Sequence, residues 1–206
     1  MAEHDEVRRV DVGAGIYVRV PAAEGPTAAT AAPPPSEAPS RRVPAAALAG
    51  GATLAAVALV RLGAGPQGLL AAGLLAVLSA LAAVDLRARV LPNRIVGPAL
   101  AATLAWQLAF FPERWAEWLL AGLGAGAFLL LPSLLRPGAV GMGDVKLGVL
   151  LGIALGADVA SALTIGLVSA MPVALFLLHR GGAAAKGTTM PYGPFLAFGA
   201  AVVLLA

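Results

Sequence analysis

The sequence predicts an all-α protein, a polytopic transmembrane helix bundle behind a polar tail that we expect to be disordered. Hydrophobic residues make up 59% of the 206 residues and charged residues only 12%, about half the charged fraction of a soluble domain. Residues 1–44 hold six of the eleven acidic residues. The other 162 residues (206 minus 44) accommodate about seven spans at about 20 apolar residues each, with six as the alternative. We therefore predict two parts, a Pro/Ala-rich tail over 1–44 and a transmembrane domain over 45–206.

Turn-rich separators divide the transmembrane domain into seven apolar segments. We place these segments at 45–62, 66–84, 95–111, 115–135, 145–157, 158–178 and 191–206. The fifth segment reaches only about 20 Å as a helix, which leaves open a re-entrant segment or a locally thin membrane. Within the tail, residues 15–20 alternate weakly between apolar and polar, and we favour coil over a short strand there.

Basic residues predict the orientation of the chain, because Lys and Arg accumulate on the cytoplasmic side of a membrane. With seven spans and a cytoplasmic N-terminus, twelve of the fourteen basic residues lie on the cytoplasmic side. Only Arg61 and Arg114 lie on the opposite side. This distribution favours seven spans over six.

The residue inventory excludes several classes of site. The chain has no cysteine, which excludes disulfides, a cysteine nucleophile and thiolate metal ligands. His4 and His179 are too far apart in the sequence for the His-Glu-x-x-His zinc motif. The basic residues are dispersed among loops, so we expect no nucleic-acid partner. We also expect no metal and no cofactor.

Two acidic residues beyond the tail are candidates for chemistry. Asp85 ends the second apolar segment and Asp144 precedes the fifth. Two spans separate them, and an even number of crossings returns the chain to the same side, so both carboxylates should lie at one end of the bundle. Glu113, Glu117 and Asp158 are expected in ordinary interfacial loops or turns instead.

Paired carboxylates suit hydrolysis of a peptide bond. Two like charges in close contact do not both ionise readily, so the pair shares a proton. One carboxylate can then activate a water molecule while the other donates to the developing oxyanion. Gly141 and Gly143 lack side chains, which would let a substrate strand approach the backbone near Asp144.

Three segments resemble those of prepilin peptidases, membrane-embedded aspartic enzymes that process type IV pilin-like precursors. Asp85–Asn93 is similar to their Asp-x-x-x-x-x-Ile-Pro-Asn segment, with Leu91 in place of Ile. Residues 141–146 match their Gly-x-Gly-Asp-x-Lys motif, and 191–199 resemble their Pro-Phe-Gly-Pro-Phe-Leu segment, with Tyr192 in place of Phe. Presenilin-type proteases share Gly-x-Gly-Asp, but three segments in family order across 85–199 are specific.

The resemblance implies a function and a set of site residues. Asp85 and Asp144 would be the catalytic aspartates, and the reaction would remove a short leader from prepilin-like partners at the cytoplasmic face of a bacterial inner membrane, in pilus or secretion systems. The motif residues that we assign to substrate binding or loop shaping are Pro92, Asn93, Gly141, Gly143, Pro191, Gly193 and Pro194. We interpret Lys146 as reaching toward the membrane surface rather than forming an ion pair.

Family members that also N-methylate the new terminus carry an additional region with paired Cys-x-x-Cys motifs. Because this chain has no cysteine, the resemblance implies a short, peptidase-only member, and N-methyltransferase activity is not expected. Membrane lipid would be its other partner.

Three other interpretations fit parts of the sequence. A proton-coupled transporter would use Asp85 and Asp144 as relay carboxylates, but it predicts carboxylates near mid-membrane and inverted repeats. A non-catalytic assembly subunit would carry vestigial motifs. A presenilin-like protease would cut within transmembrane segments, and the Leu-Pro-Asn sequence after Asp85 argues against it.

Overall fold

The structure is a computed structural model, and it divides into two compact units, Met1–Ala38 and Pro39–Ala206. It describes residues 7–11, 17–21, 43–89, 91–135, 140–181 and 191–206. The predicted division at residue 44 into a tail and a transmembrane domain stays a prediction.

The N-terminal unit contains two paired strands. Strand β1 (Val7–Asp11) pairs in antiparallel fashion with β2 (Tyr17–Pro21), and Arg9 lies opposite Arg19. The expectation of coil over 15–20 is therefore wrong for the part that forms β2. The rest of the tail, where disorder was expected, lies outside the described residues up to Arg42.

All the regular secondary structure in the described residues of the second unit is helical, which confirms the predicted all-α class. Its seven α-helices are α1 (Ala45–Leu62), α2 (Pro66–Ala88), α3 (Asn93–Phe110), α4 (Trp115–Leu135), α5 (Met142–Leu155), α6 (Val159–Gly181) and α7 (Gly193–Leu205). Single 3₁₀ turns at Pro112–Arg114 and Gly156–Asp158 precede α4 and α6.

Four helical stretches in the described residues are long and apolar enough to cross a membrane, and this makes the chain a membrane protein. They are Ala45–Leu62, Pro66–Ala88, Pro112–Leu135 and Met142–Phe176, the last of which contains both α5 and α6. Helix α7 is apolar but shorter. The count of seven spans stays a prediction.

The helices run up and down, so the bundle has two distinct ends. Residues from the ends of five helices and from both 3₁₀ turns line one cavity of about 260 Å³, among them Leu62, Gln67, Phe111, Leu155 and Leu204. Helix α5 therefore runs from the end of the bundle that holds Asp144 to the end that holds this cavity. Asp85 and Asp144 lie at the opposite ends of α2 and α5, away from this cavity.

Helix α5 lies at the centre of the bundle. Leu147, Leu150 and Leu151 are almost completely buried, and α5 contacts α3, α4, α6 and α7. A helix that is surrounded by other helices has no polar face, which explains why its sequence is apolar all round. Because α5 is central, its first turn places Asp144 among the other helices at one end of the bundle.

Glycines set the spacing between packed helices. A Cβ at Gly152 of α5 would collide with the carbonyl oxygen of Ala121 in α4, and a Cβ at Gly199 of α7 would collide with the carbonyl oxygen of Ala162 in α6. Close backbone approach at small residues is the usual way in which helices associate in lipid, where apolar side chains gain little from leaving the lipid tails.

We expect Gly152→Ala to destabilise the bundle. The added methyl group meets backbone, which cannot rotate away, so the free energy of unfolding should fall by about 1–3 kcal/mol. Thermal unfolding in detergent measures this. Gly124→Ala, also in a transmembrane helix, is the matched control because a Cβ there has no neighbour within 4 Å. Equal stability of the two variants would contradict the close α4–α5 contact.

Candidate active site

Asp85 lies in the last turn of α2 and is buried, with only 4% of its surface exposed. The helix ends three residues later at Ala88, because Arg89 adopts a left-handed conformation (φ 50°) and donates its N–H to the carbonyl oxygen of Asp85 at 2.8 Å. The sequence-predicted end at residue 84 is therefore one turn early. Asp85 is held by the helix and not by a loop.

The backbone of α7 holds the carboxylate of Asp85. The N–H of Gly193 donates to Oδ2 of Asp85 at 3.1 Å, across 108 positions of sequence. A Cβ at Gly193 would lie 2.7 Å from the same oxygen, so only glycine permits this approach. Pro194 follows in the first turn of α7, where its missing N–H costs no helix hydrogen bond. Pro191 lies two residues before Gly193.

Asp144 lies in the first turn of α5, with 9% of its surface exposed. Gly141 is the residue before the helix and has extended backbone angles (φ −71°, ψ 143°). A Cβ at Gly141 would lie 3.3 Å from Oδ2 of Asp144, so a larger residue would crowd the carboxylate. Oδ1 of Asp144 is buried and has no hydrogen-bond partner among the described residues.

The two carboxylates lie within electrostatic range of each other. Asp85 is near the carboxyl end of its helix and Asp144 at the amino end of another, and α7 contacts both helices. Asp85 and Asp144 thus lie at the same end of the bundle. This is the arrangement expected from the two predicted spans between them.

The connection between α2 and α3 packs against the first turn of α5. A Cβ at Gly143 would lie 2.7 Å from Cβ of Leu91, so Gly143 allows the connection to approach α5 closely. Pro92 then precedes α3, and its carbonyl oxygen accepts the N–H of Ile95 at 2.9 Å. Gly143, Leu91 and Pro92 therefore shape the site rather than supplying polar groups to it.

Asn93 and Lys146 form a second link between these elements. The Nζ of Lys146 donates to Oδ1 of Asn93 at 2.9 Å, and both side chains are exposed. The interpretation of Lys146 as a side chain that only reaches toward the surface missed this bond. Its place in the Gly-x-Gly-Asp-x-Lys motif was a signal for a role, but the sequence did not reveal the partner.

The other acidic residues of the helical unit lie away from this end. Glu117 accepts two hydrogen bonds from Arg114 at 2.7 and 2.9 Å, and its carboxylate also accepts the N–H of Ala157 at 3.4 Å. Asp158 lines the cavity at the opposite end of the bundle. These contacts agree with the ordinary structural roles that the sequence predicted.

Comparison with known proteins decides the family. The sequence model of the type IV leader peptidase family matches residues 70–205, about two thirds of the chain. The chain belongs to the type IV leader peptidase family. The match includes both aspartates and α7, and it begins inside α2, so that α1 and the N-terminal strands lie outside it. No curated protein and no solved structure matches the chain.

Membership of the type IV leader peptidase family confirms the resemblance found in the sequence and makes the chain a peptidase of the membrane. The match covers all three segments on which the resemblance depended. The roles of individual residues are not part of that match.

Proposed function

We propose that the protein is a membrane-embedded aspartic endopeptidase that removes the short leader from type IV prepilin-like precursors at the cytoplasmic membrane face. The observation that supports this most strongly is the pair Asp85 and Asp144, two buried carboxylates within electrostatic range at one end of the bundle. A peptidase of this family needs a means of activating water, and this pair supplies one.

The two carboxylates provide a general base and a general acid. One takes a proton from a water molecule, whose oxygen attacks the carbonyl carbon of the scissile bond, while the other donates a proton to the developing oxyanion. Collapse of the tetrahedral intermediate then breaks the C–N bond. The leaving amine takes up a proton, and the new carboxyl group belongs to the leader.

The glycines around the pair let other parts of the protein approach the carboxylates closely. Gly141 lies against the carboxylate of Asp144 and Gly193 against that of Asp85, while Gly143 makes room for Leu91. The N–H of Gly193 is bonded to Asp85, so its role is to shape the site and hold the carboxylate.

The charges at the two ends of the bundle support a cytoplasmic site. Arg87, Arg89, Arg94 and Lys146 lie on the elements next to the aspartates, whereas Arg61 and Arg114 lie at the other end. By the positive-inside rule, the aspartate end faces the cytoplasm. We propose that the N-terminus lies on the same side, in a bacterial inner membrane.

The position of the carboxylates favours a peptidase over a proton-coupled transporter. A transporter carries its relay carboxylates near mid-membrane, but here Asp85 lies in the last turn of α2 and Asp144 in the first turn of α5. A protease that receives a leader from the aqueous phase needs its acids near one end of the helices.

Purified protein in bilayers, incubated with a panel of prepilin-like precursors, tests the proposal. We expect a shortened product whose new N-terminus is fixed by sequencing, and mass spectrometry should find that terminus unmethylated even when a methyl donor is supplied. A precursor with its leader junction altered is the control. Absence of cleavage across pilus-type and secretion-type precursors would contradict the proposed function, and a methylated product would contradict the peptidase-only assignment.

A further inference from the structure

We propose that Lys146 and Asn93 are a positioning pair, whose hydrogen bond holds the α2–α3 connection against α5 and thereby sets the separation of the two aspartates. This inference rests on the proposed function, because it concerns the geometry of the same site. Neither residue touches the carboxylates in the described contacts, so their effect is exerted through the backbone.

A short series of contacts links the two aspartates through the α2–α3 connection. Asp85 is followed by the connection, which packs through Leu91 on Gly143 and ends at Asn93, the first residue of α3. Asn93 accepts the hydrogen bond from Lys146 at 2.9 Å. Lys146 lies two residues after Asp144, in the same helical turn.

Two contacts therefore fix the connection on α5, and they lie on either side of Pro92. The Leu91–Gly143 contact prevents the connection from moving closer, because its atoms are already tightly packed. The Lys146–Asn93 bond prevents it from moving away. A separation that is bounded from both sides is what a catalytic pair requires, since a displacement of about 1 Å can cost a factor of 10² in rate.

The charge of Lys146 is not the basis of this effect. The described hydrogen bond of Lys146 goes to the neutral amide of Asn93 and not to either carboxylate. Arg94 supplies a test of that distinction, because it is an exposed cation directly after Asn93. Loss of charge at Arg94 should leave the site unchanged.

The first experiment measures cleavage kinetics of the full-length protein in bilayers. We expect Lys146→Met to lower kcat about tenfold with KM little changed, because the substrate still binds but the pair is mispositioned. Lys146→Arg, which keeps a donor, should retain most of the rate, and Arg94→Met should resemble wild type. In a double-variant cycle with Asn93→Ala, the two losses should not add, because they break the same bond.

A second experiment reports the position of the connection without depending on activity. Because the chain has no cysteine, Leu91→Cys introduces a single thiol, which is buried at this position and should react slowly with a maleimide reagent. Adding Lys146→Met should speed this alkylation severalfold, because the connection moves away from α5, whereas adding Arg94→Met should not.

The outcomes separate the two proposals. If wild type cleaves no precursor, the proposed function fails, and the alkylation rates still test the positioning pair. If wild type cleaves but Lys146→Met matches Arg94→Met in kcat and in alkylation rate, the positioning pair is overturned. Additive losses in the double-variant cycle would also overturn it.

Discussion

Replacing either aspartate by asparagine should abolish leader cleavage. Asp85→Asn and Asp144→Asn keep the shape of the side chain but remove its ability to accept or donate the proton that hydrolysis requires. General acid–base catalysis by one positioned group contributes a factor of about 10²–10⁴, so each variant should lose at least that much in kcat. The measurement is the initial rate of precursor cleavage in bilayers at equal enzyme concentration.

The double variant makes the prediction stricter. Groups that act as one unit show strongly non-additive losses, so Asp85→Asn combined with Asp144→Asn should be about as inactive as the worse single variant. Asp158→Asn is the matched control, because this aspartate lies at the opposite end of the bundle. Normal cleavage by either single variant would exclude the two-aspartate mechanism.

The substitution Gly193→Val should also inactivate the enzyme, although Gly193 carries no reactive group. A Cβ at this position would lie 2.7 Å from Oδ2 of Asp85 and 3.2 Å from its carboxyl carbon. The valine must therefore displace the carboxylate or the start of α7, and either movement disturbs the bond from the Gly193 N–H. We expect a loss of about 10²-fold in kcat, and a smaller loss for Gly193→Ala.

The control for this prediction is Gly97→Val, since Gly97 is exposed on α3 and a Cβ there has no neighbour within 4 Å. Thermal unfolding of both variants separates a displaced carboxylate from a misfolded bundle. Full activity of a folded Gly193→Val protein would show that the close approach of α7 to Asp85 is not needed for cleavage.

The sequence predicted the helices of this protein well. All seven apolar segments became helices, and the main error in their bounds is the end of α2, which continues past Asp85 to Ala88. Length and hydropathy are enough for this, because a chain in lipid must satisfy its backbone hydrogen bonds within each helix. Counting the two spans between Asp85 and Asp144 was then enough to predict that both lie at one end of the bundle, without any information on how the helices pack.

The contacts between helices could not be predicted from composition. A helix whose surface is apolar all round gives no periodic signal of which face meets a neighbour, so the approach of Gly193 to Asp85 and of Gly143 to Leu91 was not visible. The Lys146–Asn93 bond joins residues 53 positions apart, and nothing local to either residue indicates the other. Strand β2 was missed because its alternation is short and weak.

The short length of α7 has a consequence for the membrane around the protein. Its thirteen residues rise about 20 Å, against a hydrocarbon thickness of about 30 Å. Unlike α5, which its neighbours enclose, α7 exposes Phe198 at the surface of the bundle. We expect lipid chains to compress or tilt beside this helix, which relieves the hydrophobic mismatch and brings the aqueous phase nearer to Gly193 and to the carboxylate of Asp85 that it holds. The cleavage rate should therefore depend on the acyl-chain length of the surrounding bilayer.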